Sequence, residues 1–210
     1  MTESRLDAHR RALASCRRCG HPCGVEPIVS HARSPKVMLV GQAPGKVETT
    51  GGKPFAGRAG GTLFRWLART GLDEDAARSR IYIAAITRCF PGSSPSGRGD
   101  RVPSRTEQEE CAVWLEAELR IIRPKLLIPV GRLAIERFLP RLPLDQLIGR
   151  VHAVEHAGGR SLAIPLPHPS GASSWIHQGE HPQLLERALA AIGRELRALE
   201  IVSGRSRSVA

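Results

Sequence analysis

Apolar and polar positions along this chain fall into two alternating patterns. Short continuous apolar runs occur at Val37–Val40, in IYIAAITRC (81–89), in KLLIPVG (125–131) and in SLAIPLP (161–167). Runs of this length, rich in branched residues and closed by Gly or Pro, predict strands buried on both faces. Between them, apolar residues return at helical spacing. This happens in residues 5–15, in GGTLFRWLARTGL (60–72), in TEQEECAVWLEAELRIIRP (106–124), in RLAIERFL (132–139) and in PQLLERALAAIGRELRALEI (182–201). The third of these helices reads as capped by Thr106, with acidic residues in its first turn and Pro124 beyond its end. PGSSPSGRGDRVPSR (91–105) has no period and reads as a loop, and no internal repeat is visible. Strands alternating with helices predict one α/β domain whose parallel sheet is covered on both faces. Residues 1–11 and 203–210 are expected to be flexible.

In such sheets ligands sit at the carboxyl ends of the strands. Three loops leaving those ends carry unusual chemistry, GQAPG (41–45), RCFPG (88–92) and HPSG (168–171), and they are expected to converge. The charge then narrows the class of ligand. Thirty-one Lys and Arg against 20 Asp and Glu give a net charge of +11 over 210 residues, which points to a polyanion such as nucleic acid. No apolar run is long enough to span a bilayer and the N-terminus lacks an apolar signal core, so an intracellular protein without a membrane partner is expected.

Five cysteines remain. Cys16 and Cys19 form a C-x-x-C, Cys89 ends the second strand, and Cys111 lies one turn into the next helix. In a reducing compartment such thiols more often hold a metal than form disulfides, and zinc or an iron–sulfur cluster would both suit four of them. Cys23 is left over.

VGQAPGKVETTGGKPFAGRAGGTL (40–63), together with these cysteines and HPS, resembles the uracil-DNA glycosylase superfamily, above all its iron–sulfur family 4. The resemblance runs from about residue 12 to 200. It implies a three-layer α/β/α sandwich with a central four-stranded parallel sheet. It also implies a structural [4Fe–4S] cluster on Cys16, Cys19, Cys89 and Cys111, with no nucleotide cofactor. The implied activity is that of a monofunctional glycosylase, a monomer acting on uracil-containing DNA in the bacterial cytoplasm. Such an enzyme flips the base into a pocket and hydrolyses its N-glycosidic bond. Phe55 matches the family's base-stacking Phe. His168 matches the histidine that donates to the developing anion, and Ser170 belongs to the same motif. Gln42 and Ala43 are expected to contact the pocket through their backbone amides. Glu48 matches the acidic residue that follows this turn in family 4 and is the candidate for positioning water or supporting the pocket.

The sequence also departs from the family. Ala85 stands where family 4 has an Asn that reads uracil, an arrangement closer to family 5, which accepts more deaminated bases. Ala43 stands where family 1 has its water-activating Asp. These two alanines leave a non-catalytic binder of damaged DNA as the alternative. A covalent trap is disfavoured, because no His occurs between His31 and His152. The loop from Cys89 to Cys111 is longer than usual for the family. Its Arg98, Arg101 and Arg105 read as phosphate contacts. Trp175 or Ile176 is the candidate wedge that fills the hole left by the flipped base.

Overall fold

The computed structural model describes residues 2–19, 26–95, 99–170 and 174–202. Five strands form a single sheet, β1 (Val37–Gly41), β2 (Ile81–Ala85), β3 (Leu126–Pro129), β4 (His152–His156) and β5 (Gly159–Ala163), in the order β2-β1-β3-β5-β4. Strands β2, β1, β3 and β5 run parallel and are the four apolar runs of the sequence. The fifth, β4, was not expected. It pairs antiparallel with β5 at the sheet edge. Its sequence, HAVEH, buries only Val154. A polar, one-sided edge strand does not read as an apolar run.

Successive residues of each inner strand point to opposite faces. Leu39, Ile83, Ile128 and Ile164 meet the helices α3 (Arg58–Ala68) and α6 (His181–Ala198) on one side. Met38, Tyr82, Leu127 and Ala163 face α1 (Thr2–Ala14) and α5 (Arg105–Ile122) on the other. This is the expected three-layer sandwich, and among the described residues no helix is long and apolar enough to cross a membrane.

Two expectations need correction. Residues 2–14 form α1 rather than a flexible arm, because Leu6 and Leu13 are buried in the core and His9 reaches Glu118 on α5. The residues 203–210 lie outside the described part. Helix α5 is capped by Ser104, two residues before Thr106. The Ser104 side chain accepts from the Glu107 N–H (3.2 Å), and Glu107 Oε2 accepts from the Ser104 N–H (2.7 Å). This reciprocal box satisfies two otherwise orphaned amides, which Thr106 inside the first turn does not do.

Candidate active site

Strands β1 and β2 end side by side, with Gly41 opposite Ala85, and a pocket opens above them. Ala43, Glu48, Phe55, Ala85, Thr87 and Arg88 are among its walls. Two of the three expected loops therefore converge here. Gln42 is not a wall; its carbonyl accepts from the Thr87 N–H (3.2 Å) and ties the first loop to the second.

Phe55 is held by a set of contacts that only this local sequence permits. Its backbone is left-handed, φ +54°, a conformation that costs a non-glycine residue about 1–3 kcal/mol. Its ring lies directly on Gly41, where a β-carbon would come within 2.9 Å of Phe55 Cζ. At Gly60 a β-carbon would overlap the Phe55 carbonyl oxygen at 1.8 Å. Arg78, on the helix α4 (Glu74–Arg80), completes the clamp. Its Nη1 donates to the Pro54 carbonyl (2.7 Å) and its Nη2 to the Phe55 carbonyl (3.2 Å). The guanidinium is itself fixed by Glu74 (2.8 Å) and by the Phe64 ring, 4.4 Å away. Arg78 belongs to no motif that marks it in the sequence.

Glu48 sits in the short helix α2 (Lys46–Gly51) and is buried, with Oε1 accepting from the Gly57 N–H at 3.1 Å. A β-carbon on Gly45 would lie 2.8 Å from both Glu48 Oε2 and Asp100 Oδ2, so two carboxylates close over that glycine. Burial and the neighbouring Glu48 charge raise the Asp100 pKa above its ordinary value. Asp100, a second acid beside the pocket, is likewise unmarked in the sequence. It lies in an aperiodic loop, where an antiparallel bridge pairs it with Ser93.

His168 is not a wall of the cavity. It leans on Gly131, just past β3, where a β-carbon would meet His168 Cδ2 at 3.0 Å. Gly131 follows β3, which pairs directly with β1, the strand that leads into the first loop. Its Nδ1 accepts from the Ser170 N–H (3.3 Å) and lies 2.9 Å from the Ser170 hydroxyl. The backbone donor assigns the ring proton to Nε2, and burial holds the pKa below 6.5. The imidazole is thus neutral, with a single N–H to offer.

Three other expected contact residues are engaged elsewhere. The Arg101 fork is closed on Glu107 (2.7 and 2.5 Å), where it braces the α5 cap. It is an internal strut, not a free phosphate ligand. Arg105 pairs with Glu109 on the same exposed helical turn, and Arg98 lies outside the described residues. The Trp175 ring stacks on His181 at 4.1 Å and packs against the core, so it is held in place rather than projecting as a wedge. Around Phe55, in contrast, Lys53 on its loop is exposed, as are Lys46 and Arg58 at the starts of the flanking helices α2 and α3.

On the other face, Cys16, Cys19, Cys89 and Cys111 are free thiols that come together. Cys19 hydrogen-bonds with Cys111, and the Trp114 indole N–H donates to Cys16 Sγ at 3.1 Å. Burial and the neighbouring thiols push Cys89 up to about 12, and burial above all pushes Cys111 up to about 11. Among the described residues no three His, Cys, Asp or Glu side chains are spaced to hold a single metal ion. Cys23 lies outside the described residues.

The profile of the Uracil DNA glycosylase superfamily matches residues 29–193, a span that contains the cavity, its glycine-flanked Phe55 and His168. The chain belongs to that superfamily. A type-4 uracil-DNA glycosylase of Archaeoglobus fulgidus is 31% identical over 173 residues, covering 79% of this chain and 81% of that one. Another, from Thermotoga maritima, is 30% identical over 135 residues, 64% of this chain and 65% of its own. A type-5 uracil-DNA glycosylase of Pyrobaculum aerophilum is 33% identical over 112 residues, 47% of this chain and 46% of its own. Similarity to both types within the superfamily parallels the mixed motifs around Ala85.

Proposed function

We propose that this chain is a monofunctional uracil-DNA glycosylase that opens base excision repair by removing uracil from DNA. The observation that carries this reading is the Phe55 platform. A strained aromatic, clamped by Arg78 and two glycines, walls a cavity at the strand ends in a chain of this superfamily. A flat face held so firmly suits a base rotated out of the stack. The exposed Lys46, Lys53 and Arg58 beside it would meet the flanking phosphates.

In the hydrolysis, the N1–C1′ bond breaks and its electron pair leaves with uracil as an anion. Water adds to C1′ and gives up a proton, the base takes up a proton, and an abasic site remains. Neutral His168 donates its Nε2–H to the anion's O2, where a preorganised donor acts most strongly. Glu48 holds the water, and Asp100 beside it shares the proton that water loses. The backbone amide of Ala43 and the Ser170 turn complete the pocket, and Gln42 ties the first loop to the second.

The four cysteines fit an iron–sulfur cluster. Buried thiols crowded together resist ionisation, and a cationic centre supplies the charge that makes their thiolates favourable. A four-iron cluster also spreads its ligands wider than one ion does. Cys16, Cys19, Cys89 and Cys111 would hold it, and bound there it would staple α1 to the end of β2 and to α5. The protein would act as a monomer, in the compartment that holds the DNA.

The test is direct. Protein purified without oxygen is incubated with single- and double-stranded oligonucleotides containing one uracil, and abasic sites are then cleaved with alkali. Cleavage at uracil is expected. Tight binding with no cleavage at any protein concentration, by protein with full iron content, would make it a binder instead.

A further inference from the structure

Among the described residues only three buried side-chain polar atoms have no hydrogen-bond partner, and two of them belong to consecutive residues on one wall of the cavity. They are Thr87 Oγ1 and Arg88 Nε; both residues are 2% exposed. Buried orphans are rare and costly, and a pair beside an otherwise apolar wall of Ile83, Ala84 and Ala85 points to a ligand that satisfies them. Both residues are fixed. The Thr87 N–H is bound to the Gln42 carbonyl, and the Arg88 carbonyl accepts from the Ile28 N–H at 2.8 Å. The far end of the Arg88 side chain is anchored, its Nη2 donating to the fully buried Glu118. Its Nε–H is therefore a donor that cannot turn away, and it can never accept. The threonine hydroxyl rotates and does either.

Deamination makes one chemical change to a base: an exocyclic amino group, a donor, becomes a carbonyl, an acceptor. An adjacent ring nitrogen at the same time gains a hydrogen: N3 in uracil, N1 in hypoxanthine, and N3 in xanthine, whose N1 already carries one. On the reading that the cavity takes a flipped base, we infer that Thr87 and Arg88 form the edge that recognises deamination. The Arg88 Nε–H donates to the new carbonyl, and the Thr87 hydroxyl accepts from the neighbouring ring N–H. Cytosine and adenine would set their amino hydrogens against the Arg88 N–H and be rejected. The pair admits uracil, hypoxanthine and xanthine alike. Thymine presents the same edge as uracil, and guanine the same O6 and N1–H edge as hypoxanthine, so their exclusion rests on the thymine methyl and the guanine 2-amino group and not on these residues.

Thr87→Val keeps the shape and removes the hydroxyl, and Thr87→Ser keeps the hydroxyl. Single-turnover excision of uracil and hypoxanthine should fall about 10–100-fold in T87V for both bases, and stay within about threefold of the parent in T87S. The Tm of T87V should be no lower than the parent's, because valine replaces a hydroxyl that bonds to nothing in the protein. Unchanged excision by T87V would overturn the inference. So would a loss shared by T87S, or a lowered Tm that marks the hydroxyl as structural. A binding arm separates this inference from the glycosylase reading. An oligonucleotide carrying non-hydrolysable 2′-fluoro-2′-deoxyuridine is compared with its 2′-deoxycytidine counterpart. The parent should prefer the uracil probe and T87V should lose that preference. Equal preference in both proteins sinks the Thr87 assignment whether or not the parent turns over. Failure of the parent to excise, with the binding difference present, sinks only the glycosylase reading.

Discussion

Replacing His168 by alanine tests the proposed chemistry most sharply, because the structure sets the size of the expected loss. Ser170 occupies Nδ1, leaving one N–H at Nε2, and burial keeps the ring neutral. The contribution is therefore that of a single uncharged donor to a developing anion, about 2.7–4 kcal/mol, or roughly 10²–10³ in rate. Two neighbours grade the expectation. Ser170→Ala removes the hydroxyl at 2.9 Å but keeps the backbone N–H that fixes the tautomer. It should cost only about 0.5–1.5 kcal/mol, a few-fold to tenfold. Gly131→Ala places a β-carbon 3.0 Å from His168 Cδ2, at a backbone φ of +82°. It should shift the ring and cost up to about 10²-fold without touching the imidazole itself. Single-turnover excision of a uracil oligonucleotide, with Tm as a check on folding, ranks the three variants. If H168A stays within about threefold of the parent, or S170A is as damaging as H168A, the ring is structural and the reasoning fails.

Other perturbations follow from the same geometry. Arg78→Met keeps much of the aliphatic stem but releases the Pro54 and Phe55 carbonyls; it should raise KM and lower kcat for uracil DNA while leaving binding of undamaged duplex nearly unchanged. Lys53→Ala and Arg58→Ala should weaken DNA binding uniformly across sequences, each reducing the slope of log K against log salt by about one. Burial holds His156 and His168 below 6.5, so the unfolded chain takes up protons first as pH falls. Their contribution to stability is complete above about pH 6.5 and is lost below it, so urea unfolding should show stability rising with pH through that window. Cys89→Ala should lower bound iron, measured by colorimetric assay, and reduce Tm together with it.

Much of the scaffold is visible in the sequence because the inner strands are apolar on both faces and stop at glycine or proline turns. The candidate site is visible only where chemistry is concentrated in short motifs: Phe55 among glycines, His168 between prolines, paired cysteines near a strand end. The missed features are products of tertiary contact. Arg78 looks like any charged residue on a short helix until α4 packs under the Phe55 loop. Asp100 gains its place from an antiparallel bridge to Ser93, and Thr87 continues an apolar strand. Arg101 shows the same effect. An arginine in a basic loop resembles a phosphate ligand until its partner Glu107, six residues on, is seen.

One buried hub joins the cysteine corner to the pocket. Glu118, fully buried, accepts from the Tyr82 hydroxyl at 2.7 Å, pairs with Arg88 and lies 3.3 Å from His9 Nε2. Burial alone would push its pKa up, but the Arg88 charge and the hydrogen bonds from His9 and Tyr82 hold it below the usual carboxylate value. The hub thus fixes α1, β2 and α5 to one another. Arg88 also lines the cavity and immediately precedes Cys89, so the thiol corner and the base-reading wall share one strand end. Glu118→Gln leaves the Arg88 charge buried without a counter-ion and should cost about 3–5 kcal/mol of unfolding free energy. The same substitution frees the guanidinium whose Nε–H is proposed to read the carbonyl. At a temperature where the variant is still folded, excision of uracil should therefore fall while hydrolysis-independent binding to undamaged DNA stays near the parent level. Urea titration and paired binding and excision assays measure the two effects. Full stability with loss of excision, or the reverse, would show that the hub serves only one of its two ends.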